Sequence, residues 1–530
     1  MDSNVFKGRS LCTIDDFSIE ERKYLFSQVR KLKAAILSDD TALMDSFRIN
    51  DPDFGIYEVF LEDSTRTKES FRNAANFHHV KLTEMSSQSS SFNKGESYAD
   101  TFNTLTGYEN QVFIIRSKVE GVCRYLEGEC SEYARRNGLP YRPVFINAGD
   151  GKHEHPTQEL LDEYSFFEDN AFSTDSIHLA LVGDLFHGRT VHSKANGLKV
   201  FDHVKVDLIA PKDLAMPETY LEIMKDNGYE IRAFGSIEEY LSQNDIATKW
   251  YFTRPQLERM GERILERADE LRSCITFREE FLSRLPEGTI FYHPLPRHKE
   301  HPVIPVFLDN LPINGWERQS INGMYCRIVL LALVSGRIGS DFIPSDPKPS
   351  IPEEDYIHQV PDDVLSRKKE KVVSEGVRPI DEGLVIDHIS RGKTPEEIRE
   401  HMRLICKVMG LDSLKGGEWV STGSDGVTWK GIIFRPGHME LDRKSLKRLA
   451  AVAPGCTLNF IKGGRVVAKY RASMPPRIYN FSDLMCTNEA CISNALQSEN
   501  APAMFVRTEE NKYRCAYCDK DHSFSEIFRK

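Results

Sequence analysis

The stretch that decides the fold is Ser64-Thr65-Arg66-Thr67, which follows the apolar run Gly55-Ile56-Tyr57-Glu58-Val59-Phe60-Leu61 and opens a helical pattern over residues 68–79. This order predicts a strand that passes into a helix, with three hydroxyls and a guanidinium at the junction. A helix N-terminus presents unpaired N–H groups and a positive dipole end, and arginine suits phosphate oxygens. The stretch predicts a phosphate-binding site. An ordinary serine or threonine cap beside an exposed arginine is the alternative.

The surrounding sequence alternates strands and helices. Short apolar runs at residues 112–116, 143–147, 177–184 and 205–210 each end before polar residues, and helical stretches such as 157–167 and 217–227 lie between them. Strands alternating with helices predict parallel sheets, whose ligands bind at the carboxyl ends of the strands. We therefore expect an α/β fold with two parallel-sheet domains that divide near residue 155.

Composition limits the partners and the compartment. A chain of 530 residues is too long for one core, and its net charge of −11 argues against broad nucleic-acid binding. No apolar stretch approaches the ~20 residues that span a bilayer, and the N-terminus lacks a basic and then apolar signal pattern. We expect a cytoplasmic protein that binds neither nucleic acid nor membrane.

The cysteines predict one metal site. Cys486-x4-Cys491 is followed after 23 residues by Cys515-x2-Cys518, the spacing of a closed tetrahedral zinc site. The other seven cysteines are scattered singly, which indicates buried thiols rather than disulfides. We expect one structural Zn²⁺ per chain.

A second half begins after a linker. Three prolines within residues 340–349 break all periodicity, and the charged run 367–371 is interpreted as a solvated helix face. Beyond it, strands at 427–434, 458–461 and 465–470 with helices at 394–408 and 443–450 predict an α+β region.

Three further motifs resemble a known family when they are combined with Ser64-Thr65-Arg66-Thr67. They are His155-Pro156-Thr157-Gln158, the segment 183–192 that contains Gly188-Arg189-Thr190, and His293-Pro294-Leu295-Pro296-Arg297. Over roughly the first 340 residues the ordered set resembles aspartate carbamoyltransferase. Ornithine carbamoyltransferase shares the first two motifs, but typically has His-Cys-Leu-Pro and a Ser-Met-Gly loop, so aspartate is the favoured second substrate. From residue 383 onward the chain resembles the regulatory chain of the same enzyme.

The resemblance implies a carbamoyltransferase fold fused to a regulatory module. The implied domains are a carbamoyl-phosphate domain (1–155, with a return helix at 318–337), an aspartate domain (156–317), a linker (338–375), a regulatory nucleotide-binding-like domain (376–475) and a zinc domain (476–530). It also implies homo-oligomers built from catalytic trimers with shared active sites, in a dodecamer-like assembly of six fused chains.

The implied reaction transfers a carbamoyl group from carbamoyl phosphate to the amine of L-aspartate in pyrimidine biosynthesis, without a catalytic cofactor. Charge stabilisation should supply most of the rate enhancement. The resemblance implies that the phosphate and carbamoyl groups are bound by Ser64, Thr65, Arg66, Thr67, Arg116, His155, Gln158, Leu295, Pro296 and the neighbouring subunit's Ser90. Without the resemblance, the local sequence predicts that Arg116 is an exposed charge at a strand end and that His155 caps the next helix.

By the same resemblance, Arg189 binds the α-carboxylate of aspartate, and Arg254 with Gln256 binds the side-chain carboxylate. Lys94 belongs to a Ser-rich loop that crosses into the neighbouring active site, although composition alone indicates only a flexible loop. One departure is Asn93, which stands where relatives often have a second lysine. Glu62 and Arg259 match residues that bridge the two domains.

The regulatory half resembles a nucleotide site in part. Its matching residues are Val377, Ile380, Val385, Asp387, His388, Asn459, Val466 and Lys469. Asp381 and Arg448 stand where nucleotide-controlled enzymes have lysines, which predicts weak binding of CTP and ATP. Two alternatives to the whole interpretation are a carbamoyltransferase for another amine and a non-catalytic zinc-ribbon scaffold.

Overall fold

The computed structural model describes residues 4–86, 95–255, 267–345, 352, 355–361, 380–423, 425–438, 441–499, 501–508 and 511–528. The chain divides into two compact units, Met1–Asp346 and Pro347–Lys530. Within the described ranges no helix is long and apolar enough to cross a bilayer.

The first unit contains two parallel sheets, as the alternation of strands and helices predicts. The first sheet has the order β2-β1-β3-β4 and consists of β1 (Gly55–Phe60), β2 (Lys81–Ser86), β3 (Asn110–Ser117) and β4 (Val144–Asp150). The second has the order β7-β6-β5-β8-β9 and consists of β5 (Ser176–Gly183), β6 (His203–Ile209), β7 (Glu230–Phe234), β8 (Lys249–Thr253) and β9 (Ile290–Tyr292).

Helices cover these sheets. They are α1 (Ile19–Leu37), α2 (Thr41–Phe47), α3 (Thr65–His78), α4 (Tyr98–Gly107), α5 (Val122–Arg136), α6 (Pro156–Asp169), α7 (Arg189–His192), α8 (Lys194–Gly197), α9 (Glu218–Asp226), α10 (Ile237–Leu241), α11 (Ala268–Ile275) and α12 (Trp316–Val334). Helix α12 is the predicted return helix, and it packs against α1, α3 and α6. It is buried on nearly every side, so it carries apolar residues without the stripe of a surface helix.

The second unit contains an antiparallel sheet of order β10-β15-β14-β11-β13-β12. Its strands are β10 (Ile357–Gln359), β11 (Glu382–Ile389), β12 (Gly417–Thr422), β13 (Trp429–Pro436), β14 (Thr457–Lys462) and β15 (Arg465–Ala472), with helices α13 (Pro395–Met409) and α14 (Arg443–Val452). A second sheet follows, made of β16 (Arg477–Ile478), β17 (Phe505–Arg507), β18 (Tyr513–Cys515) and β19 (Asp521–His522), with α15 (Phe524–Ile527).

Two edge strands differ from the sequence interpretation. Residues 357–359, interpreted as linker, pair with β15, and β12 was not predicted. Edge strands have one paired side and can be short, so they lack the strong apolar pattern of central strands.

Candidate active site

A cavity of ≈ 370 Å³ lies where strands of both sheets of the first unit end. The predicted residues that line it are Ser64, Arg66, Thr67, Arg116, His155, Gln158, Arg189, Arg254, Leu295 and Pro296. They follow, or end, strands β1, β3, β4, β5, β8 and β9. Thr65 begins helix α3 but is not among the lining residues, and Ser90, Lys94 and Gln256 lie outside the described residues.

The cavity is strongly cationic. Its described lining includes one carboxylate, Glu62, against six basic side chains: Arg66, Arg116, Arg189, Arg254, Arg327 and Lys152. Guanidinium groups suit planar or tetrahedral oxyanions, because they donate in a fixed fork. The lining therefore fits a ligand, or a pair of ligands, with several negative charges.

The N-terminus of helix α3 opens into this cavity. Ser64 is the N-cap residue with extended backbone (φ −157°), and its hydroxyl makes no capping bond. Ser64 therefore does not cap helix α3 with its side chain, as the alternative interpretation of this stretch requires. Its hydroxyl, the first N–H groups of the helix and Arg66 are placed together for an anion.

Arg116 is the penultimate residue of β3 and is held in place rather than exposed. Its Nη1 donates to the Ala148 carbonyl at 2.9 Å, and its Nη2 lies 3.2 Å from Glu62 Oε2. A Cβ at Gly149 would lie 2.6 Å from Nη1, and Gly149 has φ +118°, so only glycine lets the guanidinium approach this closely. Burial lowers the pKa of Arg116 from its usual value.

His155 stands at the start of helix α6, but its side chain does not cap that helix. Its Nε2 lies 3.4 Å from Thr67 Oγ1, and its Nδ1 lies 3.4 Å from Thr157 Oγ1. Arg327 Nη2 donates to Thr157 Oγ1 at 3.2 Å, and the Thr157 hydroxyl can in turn donate its proton to Nδ1. In that arrangement the proton of His155 is on Nε2, the nitrogen beside Thr67.

Burial, followed by the nearby charges of Arg189, Arg116 and Arg327, lowers the pKa of His155 well below its ordinary value. His155 is therefore a neutral imidazole at physiological pH. A neutral ring with its proton on Nε2 donates a hydrogen bond without adding another positive charge to the cavity.

His293 belongs to the motif His293-Pro294-Leu295-Pro296-Arg297, but the sequence alone predicts no role for it. Its Nδ1 accepts from the Leu295 N–H at 2.8 Å, and burial, with Arg297, Arg66 and Arg254, lowers its pKa to about 3. His293 thus fixes the backbone that presents Leu295 and Pro296. The feature of the sequence that could have indicated this role is the position of His293, directly after β9 and two residues before Leu295.

The four C-terminal cysteines converge as predicted. All four sulfurs lie within 4.8 Å of one another, with 3.6 Å between Cys486 and Cys518 and 3.7 Å between Cys491 and Cys515. A Zn–S distance of about 2.3 Å gives tetrahedron edges of about 3.8 Å, so the cluster fits zinc and no disulfide. The structure describes all eleven cysteines of the chain, and every one is a free thiol.

The predicted nucleotide residues fall partly together on the regulatory sheet. Val385, Asn459 and Lys469 lie in register across β11, β14 and β15. Asp387 lies on the same strand as Val385, and Lys430 Nζ binds its carboxylate at 2.8 Å. The Nδ1 of His388 lies 3.2 Å from Thr457 Oγ1, whereas Val466 is exposed.

Arg448, which stands where nucleotide-controlled enzymes have a lysine, already has partners within the second unit. It lies on helix α14 and donates to the Val408 carbonyl and, at 2.7 Å, to Asp483 of the cysteine-rich region. It therefore joins the two parts of the second unit. Val377 lies outside the described residues.

Comparisons with known proteins agree with both halves of the chain. Four family models match: aspartate/ornithine carbamoyltransferase, carbamoyl-P binding domain (residues 9–168) and Asp/Orn binding domain (175–334), and aspartate carbamoyltransferase regulatory chain, allosteric domain (375–473) and metal binding domain (476–528). Protein PyrBI of Treponema denticola is 64% identical over 99% of both chains, and Protein PyrBI of Thermotoga maritima is 53% identical over 99% of both.

Solved structures resemble the first unit. A Trypanosoma cruzi aspartate transcarbamoylase in complex with N-(phosphonacetyl)-L-aspartic acid is 28% identical with a TM-score of 0.53, covering 62% of this chain and 97% of that one. The catalytic subunit of M. jannaschii aspartate transcarbamoylase is 29% identical with a TM-score of 0.52, covering 61% of this chain and 96% of that one.

Proposed function

This chain belongs to the aspartate carbamoyltransferase family, in a form that fuses the catalytic and regulatory chains, and we propose how its residues perform the reaction. The enzyme transfers the carbamoyl group of carbamoyl phosphate to L-aspartate and forms N-carbamoyl-L-aspartate and phosphate, a step of pyrimidine biosynthesis. The observation that carries the assignment of residues is the cavity, where an open helix N-terminus faces several arginines.

Carbamoyl phosphate binds at the β1–α3 end of the cavity. Ser64, Thr65 and the first N–H groups of α3 hold the phosphate, and Arg66 stabilises the charge that grows on the leaving oxygen. The neighbouring Thr67 and Arg116 donate to the carbonyl oxygen. His155 does the same through Nε2, and its neutral state and its contact with Thr67 support that role.

L-aspartate binds on the side of the second sheet. Arg189, after β5, takes the α-carboxylate, and Arg254, after β8, takes the side-chain carboxylate together with Gln256. Each charge-assisted pair contributes about 1.5–3 kcal/mol. The amine of aspartate is thereby held against the carbonyl carbon, so that proximity and charge stabilisation drive the transfer. Carbamoyl transfer in this family needs no cofactor.

Zinc is a structural part of the second unit. Cys486, Cys491, Cys515 and Cys518 hold it with four thiolates, which leaves no position for a substrate or water. The ion therefore stabilises the small C-terminal sheet and takes no part in the transfer.

The proposal also covers the oligomeric assembly of the enzyme and its cellular compartment. Lys94 and Ser90 complete the active site of a neighbouring subunit within a catalytic trimer, and the regulatory halves join such trimers. None of the eleven cysteines forms a disulfide, which supports a reducing, cytoplasmic location. The domain boundaries in this proposal lie at residues 155, 317, 375 and 475.

Nucleotide control is weak in this proposal. Lys469 would meet the phosphates of CTP or ATP, but Asp381 places a negative charge before β11 and Lys430 is already bound to Asp387. We expect millimolar CTP or ATP to change activity little at subsaturating aspartate. Calorimetric titration beside the activity assay checks this, and tight binding with a several-fold shift in apparent aspartate affinity would contradict it.

A product assay tests the choice of amine. Purified full-length protein with labelled carbamoyl phosphate should carbamoylate L-aspartate and leave L-ornithine unreacted, because ornithine brings a cation to a cavity rich in arginine. Carbamoylation of ornithine at a comparable rate would show a carbamoyltransferase for another amine. No transfer to any amine would favour the scaffold alternative.

A further inference from the structure

We propose that Asp162 is a positioning residue that gives the site its preference for a carbamoyl over an acetyl group, by turning the Gln158 amide so that its carbonyl faces the substrate. By the resemblance to the family, Gln158 and the backbone carbonyls of Leu295 and Pro296, which all line the cavity, bind the carbamoyl NH₂, and this inference rests on that proposed role. Asp162 lies one helical turn after Gln158 on α6 and is fully buried.

Four donors surround the Asp162 carboxylate. Oδ1 accepts from Gln158 Nε2 at 2.9 Å and from Gln319 Nε2 at 2.6 Å. Oδ2 accepts from Lys194 Nζ and from the Tyr251 hydroxyl, each at 2.8 Å. With four donors around it, one of them the ammonium group of Lys194, Asp162 acts as an ionised acceptor.

The oxygen and NH₂ ends of a glutamine amide have nearly the same shape, so shape alone does not fix which end faces a partner. A carboxylate partner does fix it. Because ionised Asp162 only accepts, Gln158 must present its NH₂ to it. The Gln158 carbonyl is then the polar atom left for the cavity that this residue lines. A carbonyl in this position accepts a hydrogen bond from a carbamoyl NH₂. The NH₂ of Gln158 in the same position would place one donor against another.

The second glutamine links Asp162 to the other predicted acceptors. Gln319 donates to Asp162, and its Oε1 accepts from the His293 N–H at 2.9 Å. Both ends of this amide are therefore assigned by their partners. His293 in turn holds Leu295, so one buried carboxylate orients both Gln158 and the loop that carries the Leu295 and Pro296 carbonyls.

The test compares two ligands that differ only at this group. Acetyl phosphate carries a methyl where carbamoyl phosphate carries NH₂, and calorimetry on the full-length protein gives both dissociation constants. Wild type should prefer carbamoyl phosphate, and Asp162→Asn should lower that preference roughly five- to ten-fold. Tyr251→Phe is the matched control, because it removes a bond to Oδ2 and leaves both amide bonds on Oδ1.

The Gln158→Ala variant separates this inference from the proposed function. It should lower the preference, and adding Asp162→Asn to it should lower the preference further by less than Asp162→Asn does alone, because one of the two paths from Asp162 is already removed. A preference kept in Gln158→Ala would overturn the role of Gln158 itself. A preference lowered in Gln158→Ala but kept in Asp162→Asn, or lowered equally in Tyr251→Phe, would overturn the role of Asp162 alone.

Gln158→Glu provides the test if Asp162→Asn does not fold. An ionised glutamate is repelled by Asp162, but a protonated one donates its O–H to Asp162 and presents its carbonyl to the cavity. The preference for carbamoyl over acetyl phosphate should be absent near pH 8 and return as the pH falls. A preference that is full and unchanged across this range would overturn the inference.

Discussion

Single residues in this protein show how a cationic site keeps its histidines neutral. His155 and His293 are buried among arginines, so protonation is disfavoured both by desolvation and by like charge. The sequence offered these residue types but not their protonation states, because those depend on which arginines the fold brings near. The chain from Arg327 through Thr157 to His155 joins residues 170 positions apart, which no local pattern reveals.

His78 gives a prediction for stability against pH. It is fully buried, its Nε2 donates to the Ile328 carbonyl, and burial lowers its pKa to about 4. The unfolded chain binds this proton near pH 6.5, so this histidine destabilises the folded state progressively as the pH falls from 6.5 toward 4.

The His78→Gln variant keeps a donor for Ile328 and removes the titrating ring. Relative to wild type, its free energy of unfolding should rise by about 2 kcal/mol between pH 7.5 and pH 5. Urea unfolding of both proteins at the two pH values measures the difference. A constant difference across this range would mean that His78 has the same pKa in the folded and the unfolded chain.

At the scale of elements, the sequence motifs predict the strands and helices around the cavity, because each motif follows a buried strand of a parallel sheet. Helix α6 carries a buried cluster of charged residues that the sequence pattern does not reveal. Glu159, Asp162 and Glu163 resemble a solvated face in the sequence, yet all three are buried, and Lys194 pairs with two of them while Arg22 pairs with Glu163. Their partners come from distant parts of the chain, so only the fold reveals the cluster.

The zinc-bearing sheet gives the prediction at this scale. Zinc peptides gain about 10–16 kcal/mol from metal binding, so this small sheet should not fold without its ion. Metal analysis should find one zinc per chain, and mercurial displacement should split the assembly while leaving active catalytic trimers. Added zinc, after the mercurial is removed by thiol, should restore the assembly. An assembly unchanged after verified zinc loss would contradict the structural role.

At the scale of the whole molecule, the proposed trimer has a genetic test. Lys94→Ala and Arg66→Ala should each inactivate the enzyme, because one residue acts in the neighbouring site and the other in its own. Mixed and reassembled, the two variants should regain part of the activity, since some sites draw an intact residue from each parent. Reassembly of each variant alone is the control, and mixed trimers without recovery would indicate a site within one chain.

The central claim is that one cavity divides its ligands between the two α/β domains, with carbamoyl phosphate at Arg66 and aspartate at Arg254. The direct measurement is the carbamoyl phosphate dissociation constant and the aspartate KM in Arg66→Ala and Arg254→Ala. We expect Arg254→Ala to raise the aspartate KM roughly ten- to hundred-fold and spare carbamoyl phosphate binding, and Arg66→Ala to weaken carbamoyl phosphate binding. Carbamoyl phosphate binding that falls as steeply as aspartate use in Arg254→Ala would contradict the account.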